Sequence, residues 1–429
     1  MTTAQAPEQP WFHLVTGPQP AVLVVPGSML FELDEDAFAA LSHEEPEALA
    51  ELRSYVRPAR TESGELPPVT ALSLNVAQVC NMSCAYCYAN EGRFGGNARL
   101  MEREVAFRGI DTLINNAPGQ AVTIGFIGGE PFLNRVLVHD CVEYARTAAA
   151  RAGIAVRFGV TTNGTLLRED DIRLLRENRF AVTVSIDGGP THNRHRRLHG
   201  RRESAAAVAS GIAPLLAYPG EARVGARATV TRDELDVAGR LAWLHELGFA
   251  EAGVAPVRTS PRPELILRPE DWPVFLENMI AAAQIELDRV ASGERPFFSN
   301  LWVGLREIHR GAARPLPCGS AASYLSLDAE GQFHSCHRTI DVPGFGMGSL
   351  DDGMDATARR AFLASHHVDT QEPCASCWAR HLCGGGCHAE VATAGRAGCD
   401  YIRGWLDHCL RTYLYVLDRH PTLLARGQT

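Results

Sequence analysis

Cys80-Asn81-Met82-Ser83-Cys84-Ala85-Tyr86-Cys87-Tyr88 is the stretch whose reading decides the fold. Its three cysteines stand in C-x3-C-x2-C spacing, directly after a strand-like apolar run from Val69 to Val76. A 4Fe–4S cluster has four irons, so three thiolates leave one iron without a protein ligand. An open iron can chelate a small molecule and pass it an electron, whereas proteins that only shuttle electrons usually close all four positions. The competing reading is half a zinc site. Zinc takes four ligands, usually from two paired knuckles, and no fourth Cys or His stands near this triplet.

The rest of the chain sets the frame for that loop. Its 429 residues exceed one ordinary core, so two or three domains are expected. The hydrophobic share of 45 % is enough for large cores, and a formal charge of -9 argues against a general binder of nucleic acid or anionic membranes. Every basic side chain except histidine is Arg; the chain has no lysine. Met1 to Pro10 lacks a charged-then-apolar signal pattern, and no apolar run reaches transmembrane length, so a soluble cytoplasmic protein is expected. Twelve cysteines in a reducing compartment point to metal or redox chemistry rather than disulfides.

Residues 1–65 read as a small winged-helix-like module, with a strand at 21–26, helices at 33–41 and 44–55, and a polar linker at 60–68. From 66 to 290, strand-like runs at 70–77, 121–127, 155–162, 180–186, 222–231 and 249–257 alternate with helical runs such as 102–116, 134–152, 203–218 and 233–247. The expected fold class is therefore α/β, a partial (β/α)6 TIM-like barrel, six units being short of a closed eight-strand one. Ligands of such folds sit on loops at the C-terminal ends of the strands, where the cysteine stretch lies. Long helices at 271–292 and 300–311 lead through a bridging segment, 291–317, to a cysteine-rich domain, 318–429, with little helix–strand alternation.

With Tyr86 before the third cysteine and a β/α domain following, the stretch resembles the signature of the radical S-adenosylmethionine (SAM) superfamily. The resemblance covers about residues 66 to 410. It implies that Cys80, Cys84 and Cys87 bind a 4Fe–4S cluster and that the open iron chelates SAM. Gly128-Gly129-Glu130-Pro131 looks like the segment that bonds the amino group of SAM. Asn163 closes the third strand run. Ser185 and Asp187 resemble ribose-contacting positions, and Arg227 resembles an arginine that pairs with the SAM carboxylate. Val254 to Val257 would pack on adenine. One electron into the cluster then breaks the sulfonium C–S bond, and the resulting 5′-deoxyadenosyl radical removes hydrogen from an unactivated C–H bond.

Eight of the twelve cysteines lie between 318 and 409. Cys318, Gly331-x4-Cys336, Cys374-x2-Cys377-x5-Cys383-x3-Cys387 and the later Cys399 and Cys409 resemble the SPASM domain, an auxiliary-cluster extension of radical SAM enzymes that mature peptides and proteins. A zinc knuckle pair is the alternative for the middle four taken alone. By resemblance, Cys374, Cys377 and Cys383 share one auxiliary 4Fe–4S cluster with a downstream cysteine, and Cys318, Cys336 and Cys387 hold another. Which set Cys399 and Cys409 complete is open. Cys409 shares an apolar helical stripe with Trp405 and Leu410, as a core cysteine would. Cys141 is read as core, His334, His337 and His388 as covers of the clusters, and the Arg-rich loop holding His192 and His195 as a solvated rim.

The resemblance implies an oxidoreductase acting on a peptide or protein, with a reductant such as flavodoxin or ferredoxin and neither nucleic acid nor membrane as partner. The leading expectation is a maturase that installs a thioether, C–C or ether crosslink in a ribosomal peptide, its N-terminal module gripping a leader peptide. The alternatives are an anaerobic sulfatase-maturating enzyme that forms formylglycine, or a thioether maturase for a quinohemoprotein amine dehydrogenase. Sulfatase maturases of this kind place a proton-accepting Asp directly after the second SPASM cysteine; here that residue is His337. No catalytic residue is named by the sequence. A multi-cluster electron-transfer protein without SAM is the distant alternative.

Overall fold

The computed structural model describes residues 10–56, 65–200, 202–311 and 313–425. Most of the linker read at 60–68, and nearly all of the segment read for a signal, lie outside them. The chain divides into two compact units. One is Leu66–Ser299 with Gly319–Phe362; the other is Met1–Glu65 with Asn300–Cys318 and Leu363–Thr429.

The described residues begin with a three-stranded antiparallel sheet, β1 (Phe12–Val15), β2 (Ala21–Val24) and β3 (Met29–Glu32). The central strand is wholly buried and was the one legible as a strand. Helix α1 (Glu35–Ser42) starts where the Asp34 carboxylate accepts the Ala37 N–H at 2.8 Å, and α2 (Pro46–Ser54) starts at a proline, whose missing N–H costs nothing there. Val22, Val24, Leu41 and Leu52 form the core of this module.

The first unit then runs β4 (Ala71–Gln78), β5 (Met82–Cys84), β6 (Arg99–Leu100), α3 (Arg103–Asn116), β7 (Val122–Gly128), α4 (Arg135–Ala152), β8 (Val156–Thr162) and α5 (Glu169–Glu177). It continues through β9 (Ala181–Ser185), β10 (Arg196–Leu198), β11 (Arg202–Glu203), α6 (Ala205–Ala217), β12 (Arg223–Val230), α7 (Ala238–Glu246), β13 (Glu251–Pro256) and α8 (Asp271–Ala291). Six parallel strands lie in the order β13-β12-β9-β8-β7-β4. They are the six runs read from the sequence, and the partial barrel is as expected. The helix read at 233–247 starts later, because residues 231–234 close a turn and the Asp236 carboxylate accepts the Gly239 N–H at 3.0 Å.

The strands alternate. Val122, Ile124, Phe126, Phe158, Val160, Val182, Val184 and their like are buried, whereas Thr123, Gly125, Thr161, Thr183, Ser185 and Thr229 are half-open. One face of the sheet is thus apolar core and the other is polar and reachable, which is where a ligand belongs.

The C-terminal third runs as four short strands followed by helices, with little alternation, as read. β14 (Tyr324–Leu327) pairs parallel with β4, on the edge opposite β7. β15 (Gln332–His334), β16 (Gly346–Ser349) and β17 (Gly353–Met354) continue as an antiparallel meander, making one 11-stranded sheet. Cys336 follows β15. Helix α9 (Ser299–His309) precedes this meander, and α10 (Ala356–His366), α11 (Arg380–Cys383), α12 (His388–Ala394) and α13 (Cys399–Arg419) follow it.

Candidate active site

The cysteine loop is fixed by its own backbone. Cys80 follows β4, Cys84 ends β5, and the Cys87 N–H donates to the Cys84 carbonyl at 3.1 Å. β5 pairs antiparallel with β10, and β10 with β11. The register sets Arg196 opposite Cys84, and the Ala85 N–H donates to the His195 carbonyl at 2.9 Å. The segment read as a solvated rim is therefore a hairpin seated on the cysteine loop, and Arg196 is buried.

Burying that charge requires partners. Arg196 Nη1 donates to the Tyr86 hydroxyl at 3.1 Å, and Tyr86 donates to the Asp187 carboxylate. Asp187 also accepts the Thr229 N–H at 2.8 Å, and Arg240 donates to its carbonyl at 2.8 Å. Burial pushes the Asp187 carboxyl up and the Tyr86 phenol well up. Burial works downward on Arg196, but Cys84, Tyr86 and Asp187 outweigh it, so the guanidinium holds its proton more tightly. Val257, read as an adenine contact, packs with Tyr86 and Leu265.

Gly128 to Pro131 lies against the same loop. A Cβ on Gly129 would stand 2.4 Å from the Val79 carbonyl oxygen and 2.9 Å from the Cys80 Cβ. Gly129 N donates to Ala77 O at 2.8 Å and Glu130 N to Val79 O at 3.0 Å. The glycines are thus required by the chain's own close approach to Cys80. The buried Glu130 carboxylate accepts from Thr162 Oγ1 at 2.7 Å, Asn163 N at 2.7 Å and Phe132 N at 3.2 Å, tying the ends of β7 and β8 together. Asn163 Nδ2 reaches Asn81 Oδ1 at 2.8 Å and Cys80 Sγ at 3.8 Å. Ser185 and Arg227 are register partners on β9 and β12, on the reachable face of the sheet.

The residues suit an iron–sulfur cluster with a chelated ligand. Burial pushes the Cys80 thiol up to about 12 and Cys84 up to about 11, so thiolates here need a positive centre to hold them. Cys80 also receives the Met82 N–H at 3.4 Å. Asn75, fully buried on β4, has both side-chain polar atoms without a hydrogen-bond partner among the described residues. It pairs in register with Ile127, next to Gly128. Among the described residues no three His, Cys, Asp or Glu side chains converge as on a single metal ion. A four-iron cluster spreads its thiolates over separate irons.

Two further features adjoin the loop. A cleft of about 770 Å³ is lined by Ser83, Cys84, Glu91, Arg194, Arg197 and Arg262. On the sheet, Ser73 Oγ meets the Tyr324 hydroxyl at 2.7 Å, and that hydroxyl meets His337 Nδ1 at 3.0 Å. Burial, with Arg338 beside it, holds the His337 ring down at about 4, so it is neutral near pH 7. Tyr88, next to Cys87, lies under the Arg338 guanidinium at 4.8 Å. Neither network was read from the sequence, because only the pairing of β14 with β4 brings these residues together.

In the other unit, Cys374 interacts with Cys377, Cys383 and Cys399. α11 packs on α13, bringing Cys383 at the end of one helix to Cys399 at the start of the other. Cys409 is fully buried on α13, where a Cβ on Gly304 of α9 would lie 3.0 Å from its Sγ, and burial alone raises its pKa. Cys141 is core on α4, as read. Cys318 is exposed; Cys336 and Cys387 are half-buried.

The Radical SAM superfamily model matches residues 74–220. That stretch is a radical SAM domain. A domain of that family implies a SAM-binding 4Fe–4S cluster. A serine-type anaerobic sulfatase-maturating enzyme of Klebsiella aerogenes is 24% identical over 364 residues, 81% of this chain and 86% of that protein. An uncharacterized protein of Methanocaldococcus jannaschii is 35% identical over 117 residues, 27% of this chain; the match spans 38% of that protein. Among solved structures, anSMEcpe with bound AdoMet gives a TM-score of 0.71 at 20% identity, covering 84% of this chain and 97% of that one. Streptococcus suis SuiB bound to precursor peptide SuiA gives 0.54 at 12% identity, covering 89% and 96%. At such identities the likeness is one of fold. No helix among the described residues is long and apolar enough to cross a membrane.

Proposed function

We propose that the chain is a radical SAM enzyme that matures a peptide or protein by oxidising one of its side chains, in the manner of an anaerobic sulfatase-maturating enzyme that turns Ser or Cys into formylglycine. The observation that carries the reading is similarity to such an enzyme along 81% of the chain, through both the barrel and the cysteine-rich part. A 4Fe–4S cluster and SAM bound at the cysteine loop would supply radical chemistry for removing hydrogen from the substrate. Cys80, Cys84 and Cys87 hold that cluster, and the Arg196–Tyr86–Asp187 chain holds their loop. Gly128 to Pro131 and Asn163 border the ligand beside Cys80, while Ser185 and Arg227 meet it from the reachable face. Asp187, its carboxylate engaged by Tyr86 and Thr229, serves the loop. Cys374, Cys377, Cys383 and Cys399 hold an auxiliary four-iron cluster. Cys318, Cys336 and Cys387 keep the assignment that the resemblance gave them, and Cys409 serves the core.

The second reading is crosslinking of a ribosomal peptide, with residues 12–54 gripping a leader. His337 favours it, standing where sulfatase maturases of this kind carry an Asp. Serine oxidation and crosslinking each remove two hydrogens, so mass alone does not separate them. Reduced enzyme, SAM and flavodoxin are therefore incubated with a sulfatase-motif peptide, followed by hydrazide capture. An aldehyde on the peptide supports the first reading. Loss of two hydrogens without an aldehyde, in a peptide that no longer fragments between two residues, supports the second.

A further inference from the structure

Asn163 follows β8 and is buried. Its backbone is pinned where its N–H meets the Glu130 carboxylate at 2.7 Å. Its amide oxygen accepts the Thr165 N–H at 3.0 Å and the Thr165 hydroxyl at 2.6 Å. A backbone N–H can only donate, so the atom facing it is the oxygen, and the nitrogen is the one turned to the cysteine loop. Nδ2 carries two protons. One goes to Asn81 Oδ1 at 2.8 Å, and the other points to Cys80 Sγ at 3.8 Å. The Asn81 amide nitrogen donates in turn to Thr165 Oγ1 at 2.8 Å. Asn163, Asn81 and Thr165 thus donate around a closed ring in one direction, each bond polarising the next. The orientation of the Asn163 amide is therefore set within the chain. The Met82 N–H is a second donor to the same sulfur, at 3.4 Å.

The potential of an iron–sulfur cluster follows its net charge, the hydrogen bonds to its sulfurs and its exposure. One electron from an external reductant adds one negative charge, part of which falls on the thiolate sulfurs. A hydrogen bond to an anionic acceptor strengthens as the acceptor gains charge, so a donor fixed on thiolate sulfur stabilises the reduced form more than the oxidised one.

We propose that the Asn163 amide, held by Asn81 and Thr165, donates to the Cys80 thiolate and raises the reduction potential of the cluster at the cysteine loop. The inference rests on the reading of Cys80, Cys84 and Cys87 as ligands of that cluster. Asn163 acts through a ligand and is a positioning residue; Asn81 and Thr165 act through Asn163. The Met82 donor is backbone and stays in place when side chains of the ring are changed, so the contribution of the ring can be read by itself.

The test is an anaerobic redox titration of full-length protein reconstituted with iron and sulfide, read by electron paramagnetic resonance. A parallel sample with SAM identifies the signal that SAM changes, and that signal is followed. Asn163→Leu keeps the bulk and removes the donor. At full parental iron its midpoint should fall by about 28 mV, a threefold change in the oxidised-to-reduced ratio at about 59 mV per tenfold for one electron. Thr165→Val, which opens the ring, shifts the midpoint the same way, and Thr165→Ser, which keeps the hydroxyl, restores the parental value. Signals that SAM leaves unchanged keep their midpoints. Unchanged midpoints in Asn163→Leu and Thr165→Val at full iron overturn the inference. Loss of this cluster's iron from both variants also overturns it, because the ring would then hold the loop without tuning the cluster. A parent without a SAM-sensitive signal overturns the cluster reading instead, so the two failures are distinguishable.

Discussion

Arg196 lies directly across the β5–β10 ladder from Cys84, with its guanidinium turned to the Tyr86 hydroxyl at 3.1 Å. A cation 112 positions along the chain is thereby buried against the middle cysteine of the C-x3-C-x2-C loop. The loop's shape depends on the hairpin as much as on its own sequence.

Removing Arg196 leaves Tyr86 and Asp187 with an uncompensated buried carboxylate. Arg196→Met should cost about 3–5 kcal/mol of stability, and Tyr86→Phe about 1–3 kcal/mol. Urea denaturation of the apo protein measures both. Reconstituted Arg196→Met should also lack the iron of one cluster, and wild-type stability with full iron would contradict the role given to the hairpin.

Gly129 tolerates no side chain. The Cβ of Gly129→Ala would meet backbone at 2.4 Å and 2.6 Å on Val79, neither of which belongs to a flexible side chain. The variant should fail to bind SAM while keeping the iron of the cysteine-rich unit. Equilibrium dialysis with labelled SAM and iron analysis on the same sample decide it; wild-type SAM binding would show that the loop has slack.

Cys399 and Cys409 should behave differently although both lie on α13. Cys399→Ala should lose about four irons per chain. Cys409→Ala should keep the full count and lose about 1 kcal/mol from packing against Gly304. Iron loss in both variants would mean that Cys409 is a ligand after all.

His192 provides a pH signature. Burial lowers its pKa, Arg240 adds to the effect, and the Asp236 carboxylate at 3.3 Å opposes it. The folded ring binds its proton less readily than the unfolded one, which titrates near ~6.5. This contribution to stability is full above the unfolded value and is lost as pH falls from there through the folded value. His192→Gln should flatten that fall in apo-protein stability, and an unchanged slope would place the titration elsewhere.

The local features of the sequence were the readable ones. Cys80 to Cys87, the six parallel strands and the 128–131 turn each show as a pattern of residue types within one short stretch. What escaped reading depends on pairing across long separations. Tyr324 meets Ser73 only because β14 joins β4, and Arg196 meets Cys84 only because a short Arg-rich hairpin, polar enough to pass for a solvated rim, folds over β5. The close packing at Gly128 and Gly129 escaped for the same reason: the closest atoms to a Cβ there are those of Ala77 and Val79, some fifty residues earlier in the chain. Helix α5 was hidden by its composition, since only Asp171, Ile172 and Leu175 of its nine residues are buried.

The most direct test of the central claim is 5′-deoxyadenosine release. Reconstituted protein is reduced with dithionite in the presence of SAM, and the product is measured by chromatography. The expected result is 5′-deoxyadenosine and methionine from wild type and neither from Cys84→Ala, with the auxiliary iron retained in the variant. No 5′-deoxyadenosine from iron-replete, reduced wild type, or undiminished release from Cys84→Ala, would contradict the assignment of Cys80, Cys84 and Cys87 as the radical-generating site.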